Sequence, residues 1–172
     1  VLPALRVGDD ELLARQQPPK SDRLAIITNA GGPGVMTTDA LIARDGKLAA
    51  LSEETISKLN ECLPPFWSHN NPIDVLGDAP PERYAKALEI VLEDKGVDAV
   101  LVILTPQAMT DCTGTAEAVG GIAGKAHKPV LAAWMGGSTV EEGVQVLSKA
   151  GIPTYTTPEK AVGAFMHLVS YA

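Results

Sequence analysis

Residues 29–35, Asn-Ala-Gly-Gly-Pro-Gly-Val, are those whose types and spacing could do chemistry. An apolar run ends at Thr28 just before them, and a stretch patterned as a helix follows. A glycine turn leading from a strand into a helix is how an α/β protein holds an anion. Glycine lets the backbone approach a ligand closely, and the first N–H groups of the helix face it along the positive end of the dipole. Asn29, Ala30, Gly31, Gly32, Gly34 and Val35 are therefore the candidate phosphate-binding residues. Pro33 suits the first helical turn, where its missing N–H has no intrahelical partner to lose. On that reading the N–H groups around Gly34 to Met36 face the ligand.

Several named phosphate loops do not fit. A P-loop would place Lys after its last glycine, and none stands there. A dinucleotide fingerprint would have glycine where Thr37 stands, and a flavin phosphate loop would be rich in hydroxyls. One helix N-terminus contributes about 0.3–1 kcal/mol at a surface and up to about 2 kcal/mol when partly buried. That is too little to hold phosphate alone, so a second positive element is expected. The residues by themselves leave open a plainer alternative, in which Gly31-Gly32 is only a tight strand-to-helix turn.

Asn71, Thr105 and Gln107 are the candidate crevice-lining residues: Thr105 and Gln107 could hydrogen-bond a phosphate or a neighbouring loop, and Asn71 lies in a loop read as bordering the crevice or packing against a partner domain, with turn chemistry as the plainer alternative. Asp74 and Asp78 would repel phosphate and are read as loop braces. Of the three histidines, His127 and His167 are read as structural, and His69, in a long loop, as a surface residue. Cys112 stands where a helix should begin, a position that can lower a thiol pKa; the inert reading is preferred. Cys62 and Cys112 lie far apart without metal-ligand spacing, so reduced thiols are expected and no metal site. Trp67 and Trp134 are read as core or interdomain contacts.

The elements that must position these residues alternate strand and helix. Residues 1–22 read as an arm and linker, with a short helix over Asp9–Arg15 and the linker in "QQPPKSD", and residues 23–172 as the domain. Strands are expected at Arg23–Thr28, Lys47–Leu51, 97–104, 129–135 and 153–156, with a short extended piece near Ile73–Leu76. Helices are expected over Pro33–Arg44, after Ser52 as N-cap, and over Pro81–Asp94, Thr113–Ala126, Thr139–Lys149 and from Pro158 onward. Glycines 114, 120, 121 and 124 make the Thr113 helix the least secure of these. Right-handed βα repeats favour an α/β, flavodoxin-like, doubly wound, five-stranded parallel sheet of order 2-1-3-4-5. Its switch point lies between strands 1 and 3, where loops 29–34 and 105–111 would flank one crevice.

The 172-residue chain is 45% hydrophobic, enough for a buried core, and its net charge of -7 without a basic run argues against nucleic-acid and anionic-membrane partners. No apolar run approaches the roughly 18–20 residues of a membrane span, and the N-terminus lacks signal-peptide character. A cytoplasmic chain is expected, either processed or excised from something longer, since no initiator Met is present.

Four stretches carry a family resemblance: "RLAIITNAGGPGVMTTDAL", "NPIDVLGDAPPERYAKALEIVLEDKGVDAVLVILTPQAMTD", "KPVLAAWMGG" and "AGIPTYTTPEKAVGAF". In this order they resemble the second flavodoxin-like domain of the NDP-forming acyl-CoA synthetase superfamily, which includes ADP-forming acetyl-CoA synthetase and succinyl-CoA synthetase. The resemblance covers nearly everything from about Pro18 onward. It implies the reaction acyl-CoA + NDP + phosphate giving acid + CoA + NTP, through acyl phosphate and phosphohistidine. It implies that the helix opening at Gly32–Val35 is one of two N-termini facing the phosphohistidine, and that no catalytic residue lies in this chain, whose histidines lack the family's "SHTG" setting. CoA, ADP or ATP, phosphate and Mg would be used by the full enzyme. The partners would be a CoA-binding domain, a phosphohistidine domain and an ATP-grasp domain or subunit. Cys112 departs from the pattern, which often has proline there. The same domain also occurs fused to GNAT-type protein lysine acetyltransferases, and the alternative implied is a non-catalytic regulatory role there.

Overall fold

The computed structural model describes residues 7–172, with side chains from Glu11 onward. The first part of the expected arm, residues 1–6, lies outside the described residues. The helix expected at Asp9–Arg15 is α1 (Val7–Ala14). Its Leu13 is buried against the domain, and Gln16 beyond it accepts from the Val130 N–H and donates to the Gly151 carbonyl.

Strands β1 (Arg23–Thr28), β4 (Ala99–Leu104) and β5 (Val130–Trp134) form the middle of a parallel sheet. Nearly every residue in them is buried, as continuous apolar strands covered on both faces require. The short strands β2 (Lys47–Leu48), β3 (Ile73–Asp74) and β6 (Thr154–Tyr155) complete it. The main path is β2-β1-β4-β5-β6, which is the expected flavodoxin-like order. A sixth strand is added to the expected five, because the extended piece at Ile73 pairs with β1.

Alternate residues along the strands point to opposite faces. On one face Ala25, Ile27, Val100, Val102 and Ala132 meet Leu59 of α3 (Glu53–Cys62), Leu88 and Val91 of α4 (Pro81–Leu92), Val119 of α5 (Cys112–Ala123) and Leu147 of α6 (Glu141–Lys149). On the other face Leu24, Ile26, Leu101, Ile103 and Leu131 meet Leu13, Leu41 of α2 (Gly31–Ala43) and Val162 and Phe165 of α7 (Pro158–Ser170). Trp67 and Trp134 are both core residues, each 2% exposed.

Two glycines of α5 have local uses. A Cβ at Gly114 would meet the Asp111 carboxylate at 2.3 Å, so glycine leaves room for the side chain that caps this helix. A Cβ at Gly120 would press on Ala150 at 3.1 Å, so glycine there allows close packing at the end of α6. Ser52 caps α3 by accepting from the Thr55 N–H, as expected. Thr55 cannot reach back as a capping-box Glu would; Asp94, just beyond α4, accepts the Ser52 N–H instead at 2.8 Å.

Beside β1 the sheet has an unusual edge. Arg23 and Leu24 pair with β2, while Ile27 and Thr28 pair with β3. The gap between is filled by a side chain: the Asn71 Oδ1 accepts from the Ile26 N–H, and its Nδ2 donates to the Leu24 and Ala49 carbonyls. Asn71 therefore acts as a detached peptide unit and is only 5% exposed. This corrects the expectation that it lines the crevice.

Candidate functional site

The two loops expected at the switch point do meet. β1 and β4 are neighbours, and the loops leaving their C-terminal ends are joined by Asn29 and Thr105. The Asn29 Oδ1 accepts from the Thr105 N–H at 2.9 Å and from its hydroxyl at 3.0 Å, while Nδ2 donates to the Thr105 carbonyl at 2.8 Å. The Asn29 side chain is thus buried and engaged by Thr105 through both its oxygen and its nitrogen, which fixes the spacing of the loops. Gln107 adds a second tie, donating from Nε2 to the Asn29 carbonyl. The Gln107 amide lies over Gly77, where a Cβ would come within 2.1 Å of its Oε1. The loop after β3 thus joins the other two through a glycine that only this contact requires.

The start of α2 differs from the expectation in a way that matters for its chemistry. The helix begins at Gly31, two residues before Pro33, with Ala30 as N-cap. Its free donors are therefore earlier than expected. In an α-helix the N–H groups of the N-cap and first three residues lack intrahelical partners. The Ala30 N–H is taken by the Thr28 hydroxyl at 3.1 Å, and Pro33 has none. The Gly31 and Gly32 N–H groups remain. Those of Gly34 to Met36 fall within the helical ladder and do not face outward.

No side chain caps α2 and its first turn contains no acid, whereas α3, α5 and α7 are each capped by a side-chain oxygen. Glycine at 31 and 32 is not demanded by this chain's own packing. A Cβ at Gly31 would make only an ordinary contact, 3.7 Å from Asp74 Oδ2, and at Gly32 nothing lies within 4 Å. Neither has positive φ. Gly34 is different: a Cβ there would crowd Thr28 and Pro72 at 3.2 and 3.4 Å, so its role is packing. Val35 is exposed, with Met36 beside it.

Asp74 is a charged group beside this helix start. Its Oδ1 accepts from the Leu76 N–H, and the Ser68 hydroxyl accepts its own N–H. Asp78 pairs with Arg83, whose Nη1 also donates to the Val75 carbonyl. Both acids brace the β3–α4 loop, as read from their chemistry. The proximity of Asp74 to Gly31 was not legible, because nothing local in "NPID" points across to β1.

The remaining candidates stand apart from the site. Both ring nitrogens of His69 lie against nearby oxygens, those of the Asn60 side chain on α3 and the Pro65 carbonyl. Cys112 is the first residue of α5, but burial and then Asp111 push its thiol pKa up, so the helix start does not activate it. Among the described residues no group of three His, Cys, Asp or Glu could hold a metal ion, and no helix is long and apolar enough to cross a membrane. The crevice therefore offers two backbone donors, a helix dipole and braced walls. These are features that could contribute to an anion site, with the Asp74 carboxylate close by, and among the described residues the crevice supplies no activated nucleophile.

The model of the Ligase-CoA domain matches residues 24–169. The chain belongs to the Ligase-CoA domain family. The resemblance carried by the motifs is borne out. This Ligase-CoA domain is 44% identical over 153 residues to the ADP-forming acetate–CoA ligase I of Archaeoglobus fulgidus, covering 89% of this chain and 22% of that protein. It is 41% identical over 172 residues to the alpha subunit of ADP-forming acetate–CoA ligase II of Pyrococcus furiosus, covering 95% of this chain and 38% of the relative. Among solved structures it superposes with TM-score 0.82 and 33% identity on acetyl-coenzyme A synthetase 1 of Candidatus Korarchaeum cryptofilum, in complex with phosphate and ADP, covering 95% of this chain and 37% of that one. The domain thus spans less than half the length of each of these relatives.

Proposed function

We propose that this chain is the domain of an ADP-forming acetyl-CoA synthetase that presents a helix N-terminus to a phosphorylated histidine carried by another domain. The reaction would be acetyl-CoA + ADP + phosphate ⇌ acetate + CoA + ATP. One observation carries the reading: Gly31 and Gly32 leave two N–H groups unpaired at the start of α2, with open space over Gly32. That space is unused by the chain itself, and it is where a phosphoryl group from elsewhere would fit. The N-terminus of α2 is too weak to bind phosphate alone, so a second positive element from the neighbouring domain completes the clamp. A phosphohistidine carries nearly two negative charges, which two helix ends would share. The clamp stabilises charge; the histidine does the covalent chemistry.

CoA, the nucleotide and any Mg accompanying it are assigned to other parts of the longer protein: a CoA-binding domain and an ATP-grasp domain or subunit. The relatives above are ligases, and nothing in the geometry favours the acetyltransferase-linked alternative.

The test is Gly32→Glu in the full-length synthetase, followed as labelled phosphate on histidine. A carboxylate at the helix start should cut phosphohistidine formation by tenfold or more, while Gly32→Ala changes it little. Undiminished phosphorylation of the Gly32→Glu enzyme would sink the reading.

A further inference from the structure

A cavity of about 800 Å³ opens at the end of the sheet opposite the Gly31–Gly32 loop, beside the N-terminal ends of β4 and β5. It is lined by Lys20 of the arm, Lys95 of the α4–β4 loop, and Lys125 and Lys128 of the α5–β5 loop. Four of the chain's nine lysines thus converge on one depression, in a molecule whose net charge is -7. Their positions are far apart in sequence, so the cluster exists only in the fold.

Among the described residues Lys20, Lys95 and Lys125 form no ion pair. Lys128 is half-buried and donates to the Asp94 carbonyl, and burial lowers its pKa despite the acids nearby. Three acids also border the cavity: Glu89, Glu93 and Asp98. Asp98 is already neutralised by Arg23, whose Nε and Nη2 reach its two oxygens at 2.8 and 3.0 Å. Three uncommitted ammonium groups, with Lys128 held by the Asp94 carbonyl beside them, therefore face two uncommitted carboxylates. The floor between them is apolar, made by Leu92, Val97, Ile122 and Ala126.

Lysines after a helix C-terminus stabilise its dipole, which accounts for Lys95 beyond α4 and for Lys125 beyond α5. It does not account for Lys20, which follows no such helix end, nor for an apolar floor beneath the charges. Unpaired like charges around one cavity repel one another, and an anion relieves that repulsion. Lysine ammoniums are compact point charges suited to phosphate, and the volume is that of a small-molecule site.

We propose that this basal cavity binds a small organic anion bearing two or more phosphate groups, with the phosphates on the lysine rim and the organic body on the apolar floor. The site is separate from the Gly31–Gly32 anion site and does not depend on its reading.

Isothermal titration calorimetry of the 172-residue chain with ADP, inorganic pyrophosphate and adenosine tests this. ADP should bind saturably, pyrophosphate more weakly and adenosine not at all. The double variant Lys95→Gln/Lys125→Gln should weaken ADP binding tenfold or more, and Lys20→Gln should weaken it by a smaller factor. Gly32→Glu should leave ADP binding unchanged, which separates this site from the other anion site. Both lysines are exposed, so the variants should unfold in urea at the parent midpoint. Absence of saturable binding by ADP and pyrophosphate, or binding indifferent to the lysine variants, overturns the proposal. Binding abolished by Gly32→Glu would overturn it equally, by placing the ligand at the other end of the sheet.

Discussion

Replacing Asn71 by Ala should be among the most damaging single changes in this domain, and the structure sets its size. The side chain satisfies three backbone groups of the β1 edge, those of Ile26, Leu24 and Ala49. The Leu24 carbonyl keeps another partner, the Ala49 N–H at 2.9 Å. Two buried groups are left bare: the Ile26 N–H and the Ala49 carbonyl. Each unsatisfied group costs about 1–3 kcal/mol, so the change should cost about 2–6 kcal/mol. Against a total stability of about 5–15 kcal/mol for a typical domain, that is a large fraction. Urea unfolding followed by circular dichroism measures it, with the denaturant slope expected to stay constant. Asn71→Asp is the companion variant: it keeps an acceptor for Ile26 but sets a carboxylate against two carbonyls, and should be at least as harmful. A loss below about 1 kcal/mol for Asn71→Ala would refute the reasoning that this amide replaces a strand.

Two further outcomes follow from the loop ties and the buried acids. Gly77→Ala should push the Gln107 amide off its seat and break its bond to Asn29, costing about 1 kcal/mol; in a Gln107→Ala background most of that cost should vanish in a double-mutant cycle. Burial would raise the pKa of Asp98, but its bonds from Arg23 outweigh this and hold it below the usual carboxylate range, and Asp94 is lowered likewise by the Ser52 and Gly96 N–H groups. Depressed carboxylates stabilise the fold above their unfolded pKa, so stability should be level above about pH 5 and fall as pH drops below about 4. Asp98→Asn should be less stable at neutral pH and lose less on acidification, as read by thermal melts across that range.

The parts legible in the sequence were those governed by local pattern. "LAII", "AVLVIL" and "VLAAW" are short apolar runs, the pattern of strands buried on both faces and too short for typical helices. The loops after β1 and β4 declared themselves by composition, and their meeting followed from the strand order. The start of α2 was misplaced because Gly31-Gly32 reads as a turn, although glycine is admissible before the helical ladder begins. Pro33 likewise fits the third helical position as well as the first, since neither needs its N–H. Asn71 was misjudged because its place in a loop before proline suggests only local contacts or a place on the crevice wall. Its true partners, on β1 and just after β2, are more than twenty residues away in sequence. The lysine cavity was hidden for a related reason: its members are spread over a hundred residues, and no window of sequence contains them together.

The edge of the sheet beside β1 has one more consequence. An open strand edge is a template on which another chain can polymerise. Here β1 is covered in sequence by β2, by the Asn71 amide and by β3, each too short to offer a continuous ladder of its own. The opposite margin, β6, is just as brief, with two residues, Thr154 and Tyr155. A domain with three long, very apolar strands would otherwise be a hazard during synthesis. By ending its sheet on both sides in fragments, it denies neighbouring chains a surface on which aggregation could nucleate.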